Sequence, residues 1–148
     1  MFSRAEIEKL IPHREPFIFI DEVVSFEPKK AATSLKHLTG EEAFFAGHFP
    51  GQPVFPGVLI LENMAQTANF LVAKSFEAEQ GAIGGGPRMV FGMVNRARFL
   101  KPVLPPATLT TEVTAVKLFT RMGVVEAVSK VGDQTVAKAT FQFGAMHA

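Results

Sequence analysis

The stretch from Gly47 to Gln66, GHFPGQPVFPGVLILENMAQ, constrains this chain more than any other. Its first half alternates Pro50, Pro53 and Pro56 with Gly47, Gly51 and Gly57. Proline fixes φ and glycine frees it, so this punctuation specifies one irregular path. The second half drops the punctuation and reads VLILENMAQTANFLV from Val58 to Val72. A first-turn proline gives up only an N–H that has no intrahelical partner, so a helix can begin near Pro56. Leu61, Met64, Ala65, Ala68, Leu71 and Val72 recur at helical spacing, while Val58, Leu59, Ile60 and Phe70 spread apolar surface around the rest. That helix is predicted to be buried on most sides.

Two groups stand out on this scaffold. His48 sits on the over-determined loop, and Glu62 is the only charge in the apolar run, with Gln66 one turn along on the same face. Each large apolar side chain buried contributes about 1.5–3 kcal/mol. The helix can therefore stay buried despite a carboxyl whose unpaired charge would cost several kcal/mol. Burial raises a carboxyl pKa, and a neutral acid in an apolar site is a proton donor. A histidine, with an ordinary pKa of about 6.5, is a base near neutral pH. Taken singly, Glu62 reads equally as a structural acceptor and His48 as a solvated turn residue. Together they mark a candidate acid–base pair. The N–H groups of Gly57 and Val58, at the positive end of the helix, can receive charge developing on a carbonyl oxygen, and Gln66 can orient the Glu62 carboxyl.

The rest of the chain narrows the chemistry. With 148 residues, one domain spanning residues 1–148 is expected. There are no cysteines, which removes disulfides, thiolate catalysis and cysteine metal sites. His13, His37 and His147 lack HExxH or paired spacing, so no metal is expected, and no serine stands in a GxSxG elbow. His13, between Pro12 and Arg14, is expected to shape a loop near the site. Gly84-Gly85-Gly86-Pro87 is a connector rather than a phosphate loop, because the lysine of GxxxxGK is missing. No apolar run reaches the ~18 residues that span a bilayer, and the first residues lack a signal peptide's apolar core. No membrane or nucleic-acid partner is expected, no cofactor is called for, and a cytoplasmic location follows. Between Gly81 and Thr111 there is no acidic residue, while Arg88, Arg96, Arg98 and Lys101 fall there. These are either scattered solvated cations or a basic surface that steers an acidic carrier protein or a phosphate-bearing thioester arm.

In chain order, Ser3-Arg4-Ala5-Glu6 has capping-box spacing and opens a short amphipathic helix. Residues 17–26 and 31–38 read as strands, the motif loop and long helix follow, and Gly81 suits a helix C-cap. Strand-like runs then cover residues 89–100, 108–119, 123–131 and 135–143, with turns at 120–122 and 132–134. No crossover helices separate them, so the sheet should be antiparallel, and one buried helix and one curved sheet must cover each other.

The segment His48-Phe49-Pro50-Gly51 through Pro56-Gly57-Val58-Leu59 to Glu62 and Ala65-Gln66 resembles the (3R)-hydroxyacyl acyl-carrier-protein dehydratases of bacterial fatty acid synthesis. Pro12-His13-Arg14-Glu15-Pro16-Phe17 followed by Asp21 resembles the amino-terminal signature of the same family, and Arg98-Phe99-Leu100-Lys101-Pro102-Val103 is a weaker echo. The resemblance implies an α+β hotdog fold, a curved antiparallel sheet wrapped around a long central helix. It implies a homodimer with continuous sheets, commonly assembled further as a trimer of dimers. It carries the roles of base and acid onto His48 and Glu62, one from each subunit at each site, acting on acyl-carrier-protein or coenzyme A thioesters. Departures from the family pattern are Asn63 and Asn69 at helix positions usually small or apolar, Phe55 where methionine is common, and Pro105-Pro106-Ala107 in place of a Pro-Gly-Asp turn. They bear on substrate shape and leave room for a specialised lipid or polyene pathway. The same fold serves acyl-thioesterases, in which a helix carboxylate activates water, and a non-catalytic acyl-binding subunit is the other alternative.

Overall fold

Helix α1 (Arg4–Glu8) forms where the capping spacing predicts it. The Ser3 side chain accepts from Glu6 N and the Glu6 carboxylate accepts from Ser3 N, so two orphan donors are satisfied reciprocally. The computed structural model describes residues 1–80 and 88–146. Strands β1 (Glu22–Glu27), β2 (Ala31–Leu38), β3 (Arg88–Phe99), β4 (Ala107–Leu118), β5 (Met122–Val131) and β6 (Gln134–Met146) make one sheet in the order β1-β2-β4-β5-β6-β3. Every pairing is antiparallel, as expected, although α2 carries the chain from β2 to the opposite edge of the sheet, where β3 pairs with β6.

Alternation decides which face is core. Leu109, Thr111 and Val113 of β4, with Val125, Ala127 and Ser129 of β5, are buried, and most of their neighbours in sequence are not. Onto that buried face lies α2 (Gly57–Ser75), whose Met64, Phe70 and Leu71 are fully enclosed. Burying each contributes about 1.5–3 kcal/mol, which suffices to seat the helix against its polar members. The β5–β6 hairpin turns on Gly132 at φ +59° and Asp133, the two-residue turn chemistry expected between strands.

Two expectations change. Residues 17–20 are not strand, and β1 begins at Glu22. The backbone of Phe17 and Phe19 bonds instead to side-chain amides of α2, which act as a surrogate neighbouring strand. The long helix stops at Ser75, where Phe76 leaves helical geometry at φ −113°, before a separate turn α3 (Glu77–Gln80). The expected glycine cap at Gly81 and the connector at residues 84–87 lie outside the described residues.

Strands β1 and β3 are the sheet edges. Strand β3 pairs only with β6 along the sheet and presents Phe91 (45 % exposed), Met93 (52 %) and Phe99 (51 %) to solvent. A long apolar edge of this kind is a template for pairing with another chain.

Candidate active site

The motif loop is held by its own backbone. Phe49 and Gln52 exchange N–H···O bonds of 2.9 and 2.8 Å, and Val54 N donates to His48 O at 2.9 Å. Phe55 N donates to Val103 O at 2.8 Å, tying the loop to the segment after β3. Within this frame His48 Nδ1 lies 2.7 Å from Val54 O. A carbonyl only accepts, so the neutral ring carries its proton on Nδ1 and leaves the Nε2 lone pair available. The imidazole stacks on Phe49 with centroids 4.0 Å apart.

Pro56 is the N-cap of α2 and supplies no side-chain bond. Its carbonyl accepts from Leu59 and Ile60 N–H, while Gly57 and Val58 N–H find no partner among the described residues. Those two donors stand at the positive end of the helix, where a free N–H can receive negative charge. The Phe99 ring lies over Gly57 so closely that a Cβ there would sit 2.9 Å from its Cε1. Glycine is thus required by a close approach, and Phe99 is a wall of the site that sequence spacing does not reveal. His48, Phe55, Gly57, Ile60, Phe99 and Lys101 are among the residues lining one cavity of about 400 Å³.

Glu62 lines a different cavity of about 230 Å³, with His13, Ala65, Ala68, Asn69, Phe91 and Phe141 among its walls. Within one chain, the structure therefore places the two sequence-predicted groups in separate cavities. Burial pushes the Glu62 carboxyl above its ordinary pKa, and a hydrogen bond from Gln66 opposes that shift. Gln66 Nε2 donates to Glu62 Oε2 at 2.9 Å and to Phe17 O at 3.0 Å, while Gln66 Oε1 accepts from Phe19 N at 2.8 Å. The amide is fully engaged and cannot flip without losing the Phe17 and Phe19 bonds, so it must present N–H to Oε2. In the neutral acid, Oε1 is left to carry the proton.

Sequence reasoning assigned His13 to loop shaping, yet its Nε2 stands 3.7 Å from Glu62 Oε2. Asn63 proves to be a buried clamp: Nδ2 donates to Phe19 O at 2.7 Å and Oδ1 accepts from Thr111 Oγ1 at 2.6 Å. Thr111 meets Ser129 at 2.6 Å, and Thr67 meets Ser34 at 2.7 Å. The signal that could have found this network is the coincidence of polar residues at helix positions 63 and 67 with polar residues at inward strand positions. Among the described residues no group of histidine, aspartate and glutamate side chains could hold a metal ion. No helix there is long and apolar enough to cross a membrane.

A curved six-stranded antiparallel sheet around one long helix, with a loop histidine and a helix carboxyl, defines a hotdog-fold protein. The fold matches a chain of the dehydratase heterocomplex ApeI:P from Xenorhabdus doucetiae at TM-score 0.80, covering 95 % of this chain and 91 % of that one at 10 % identity. The model of the FabA-like domain matches residues 11–140, and the chain belongs to that family. It is 41 % identical over 143 residues to the 3-hydroxyacyl-[acyl-carrier-protein] dehydratase FabZ of Pediococcus pentosaceus, covering 97 % of this chain and 92 % of that protein. It is 44 % identical over 134 residues to the FabZ of Vibrio atlanticus, covering 90 % and 87 %.

Proposed function

We propose that this chain removes water from (3R)-3-hydroxyacyl thioesters carried on acyl carrier protein, giving trans-2-enoyl thioesters for fatty acid synthesis. The observation that carries the reading is the match of the chain to 3-hydroxyacyl-[acyl-carrier-protein] dehydratases at about 40 % identity over nearly its whole length. His48 Nε2 takes the proton from the α-carbon, and the Nδ1–H···O bond to Val54 fixes the tautomer that leaves the Nε2 lone pair free for it. The electron pair forms the α,β double bond, and the C3 oxygen leaves with the Glu62 proton as water. The Gly57 and Val58 N–H groups receive the charge that builds on the thioester oxygen meanwhile. Gln66 positions the acid.

Each site takes His48 from one subunit and Glu62 from the other. This arrangement is supported by the separate cavities of the two groups within one chain and by the exposed apolar edge β3. Pairing of two β3 edges gives a homodimer with a continuous sheet, and a trimer of such dimers is the expected further assembly. Lys101 is exposed and lines the His48 cavity, Arg96 and Arg98 are exposed on the preceding strand β3, and these cations favour an acidic carrier protein or the phosphate of a coenzyme A thioester. A cytoplasmic location belongs to the same reading.

The test is to incubate the protein with a (3R)-3-hydroxyacyl thioester on each carrier and identify products by mass spectrometry, with His48→Ala as control. Loss of one water without free thiol is expected, and free thiol would instead mean a thioesterase. Mixing His48→Ala with Glu62→Ala subunits should restore activity. No recovery after verified subunit exchange rules out a shared site.

A further inference from the structure

His13 lines the same cavity as Glu62, and the proposed mechanism gives it no role. Its backbone is pinned, because Arg14 sends its guanidinium back onto the carbonyls of Glu8, Ile11 and His13 at 2.8, 2.9 and 2.7 Å. The imidazole is half-buried with Nδ1 enclosed, so Nε2 is the ring nitrogen turned to the cavity, 3.7 Å from Glu62 Oε2. Gln66 donates to that oxygen too, but an amide keeps its proton. Among the described residues, His13 is the one basic side chain in ion-pair reach of the carboxyl.

Glu62 spends its proton in every turnover, and burial disfavours the carboxylate left behind. A second group must supply a proton before the next substrate can lose its hydroxyl. Imidazole, with an ordinary pKa of about 6.5, takes one from cavity water near neutral pH and can pass it on. The other charges around the loop are Glu8 of α1 and Arg14, which face each other at 3.6 Å, and the strands across the cavity offer Val90, Phe91, Phe141 and Phe143, none of them titratable.

We propose that His13 returns the proton that Glu62 spends. The imidazolium N–H at Nε2 breaks as an O–H forms on the Glu62 carboxylate, and the neutral ring takes its next proton from water. A half-turn of the carboxyl then presents the new O–H outward and returns a bare oxygen to Gln66. The α-proton held on His48 leaves to solvent, so the cycle closes with one hydroxyacyl thioester converted to enoyl thioester and water. His13 acts through Glu62 as a positioning residue and needs no contact with the reacting atoms. The inference rests on the dehydratase reading above.

The experiment follows dehydration of a carrier-bound (3R)-3-hydroxybutyryl thioester by the full chain, by His13→Gln and by His13→Ala, from pH of about 6 to about 9 in dilute and in concentrated buffer. KM should stay near the parent value in both variants, while kcat falls by about tenfold or more on the alkaline side. Concentrated buffer or added imidazole should recover it, a response that a purely structural histidine would not give. A second measurement leaves His13 in place: an NMR titration of its Cε1–H should give a lower pKa in Glu62→Gln than in the parent, because the carboxylate that favours the imidazolium is gone. Parent-like kcat in the variants, or a fall that buffer and imidazole do not recover, overturns the inference, and so does a His13 titration unmoved by Glu62→Gln. A parent that leaves the thioester unchanged or releases free thiol overturns the dehydratase reading instead.

Discussion

The two halves of the site are held by different means. His48 is fixed by backbone groups a few residues away, with Val54 O as its orienting acceptor and Phe45 O, Phe49 and Gln52 closing the turns around it. Glu62 is held by Gln66, one turn along the same helix, whose amide is anchored on the distant backbone of Phe17 and Phe19, and it lies alongside His13. The proposed base therefore depends on a local conformation, and the proposed acid on tertiary packing. Damage to the loop should appear in turnover, whereas damage behind the helix should appear in stability and in the pH dependence of the acid.

The most severe test removes the groups themselves. His48→Ala and Glu62→Gln should each lower kcat by about 10²- to 10⁴-fold, read from formation of the enoyl thioester, while circular dichroism stays unchanged. A Glu62→Gln protein that turns over normally would break the comparison, because the helix side would then be scaffold alone.

Next in size is Gly57→Ala, which drives a methyl group into the Phe99 ring. A loss of roughly ten- to hundredfold in kcat/KM is expected from displaced donors at the helix end. The double variant with Phe99→Ala should recover part of it. No recovery would mean that the glycine serves the backbone rather than the close approach.

On the helix side, Gln66→Leu strands Phe17 O and Phe19 N, and a stability loss of about 1–3 kcal/mol is expected in urea denaturation. The same change deletes the bond that holds the Glu62 pKa down, so the alkaline limb of the pH–rate profile should move to higher pH. An unmoved limb would separate Gln66 from the acid.

The smallest effect concerns Glu62 and stability. Its folded pKa is raised by burial, so the folded state favours the neutral acid. That contribution is fully present below the unfolded value of about 4.3 and is lost as pH rises through the folded pKa. Glu62→Gln should therefore be slightly more stable than the parent at neutral and alkaline pH, the gap closing towards pH of about 4. A gap that stays constant from acid to alkaline pH would show that the carboxyl's ionisation is not coupled to folding.

Most of the strand pattern was legible: β2 matches residues 31–38 as expected, and β3 to β6 appear with ends shifted by up to three residues. Alternation carries that information locally. Residues 17–20 misled because their β-rich composition describes an extended segment without saying what pairs with it. Asn63 read as an oddity in an apolar helix for the same reason, since Thr111 and Phe19 are distant in sequence.

The sequence by itself determined the punctuated loop, the buried helix, the two chemically distinct groups on them and the antiparallel sheet, because φ restriction and periodicity act over a few residues. Only the tertiary structure decided that His48 and Glu62 open into different cavities, that Gln66 is locked by Phe17 and Phe19, and that Phe99 closes on Gly57. Those outcomes depend on which surfaces meet when sheet and helix cover each other, and contacts between residues tens of positions apart leave no periodic trace along the chain.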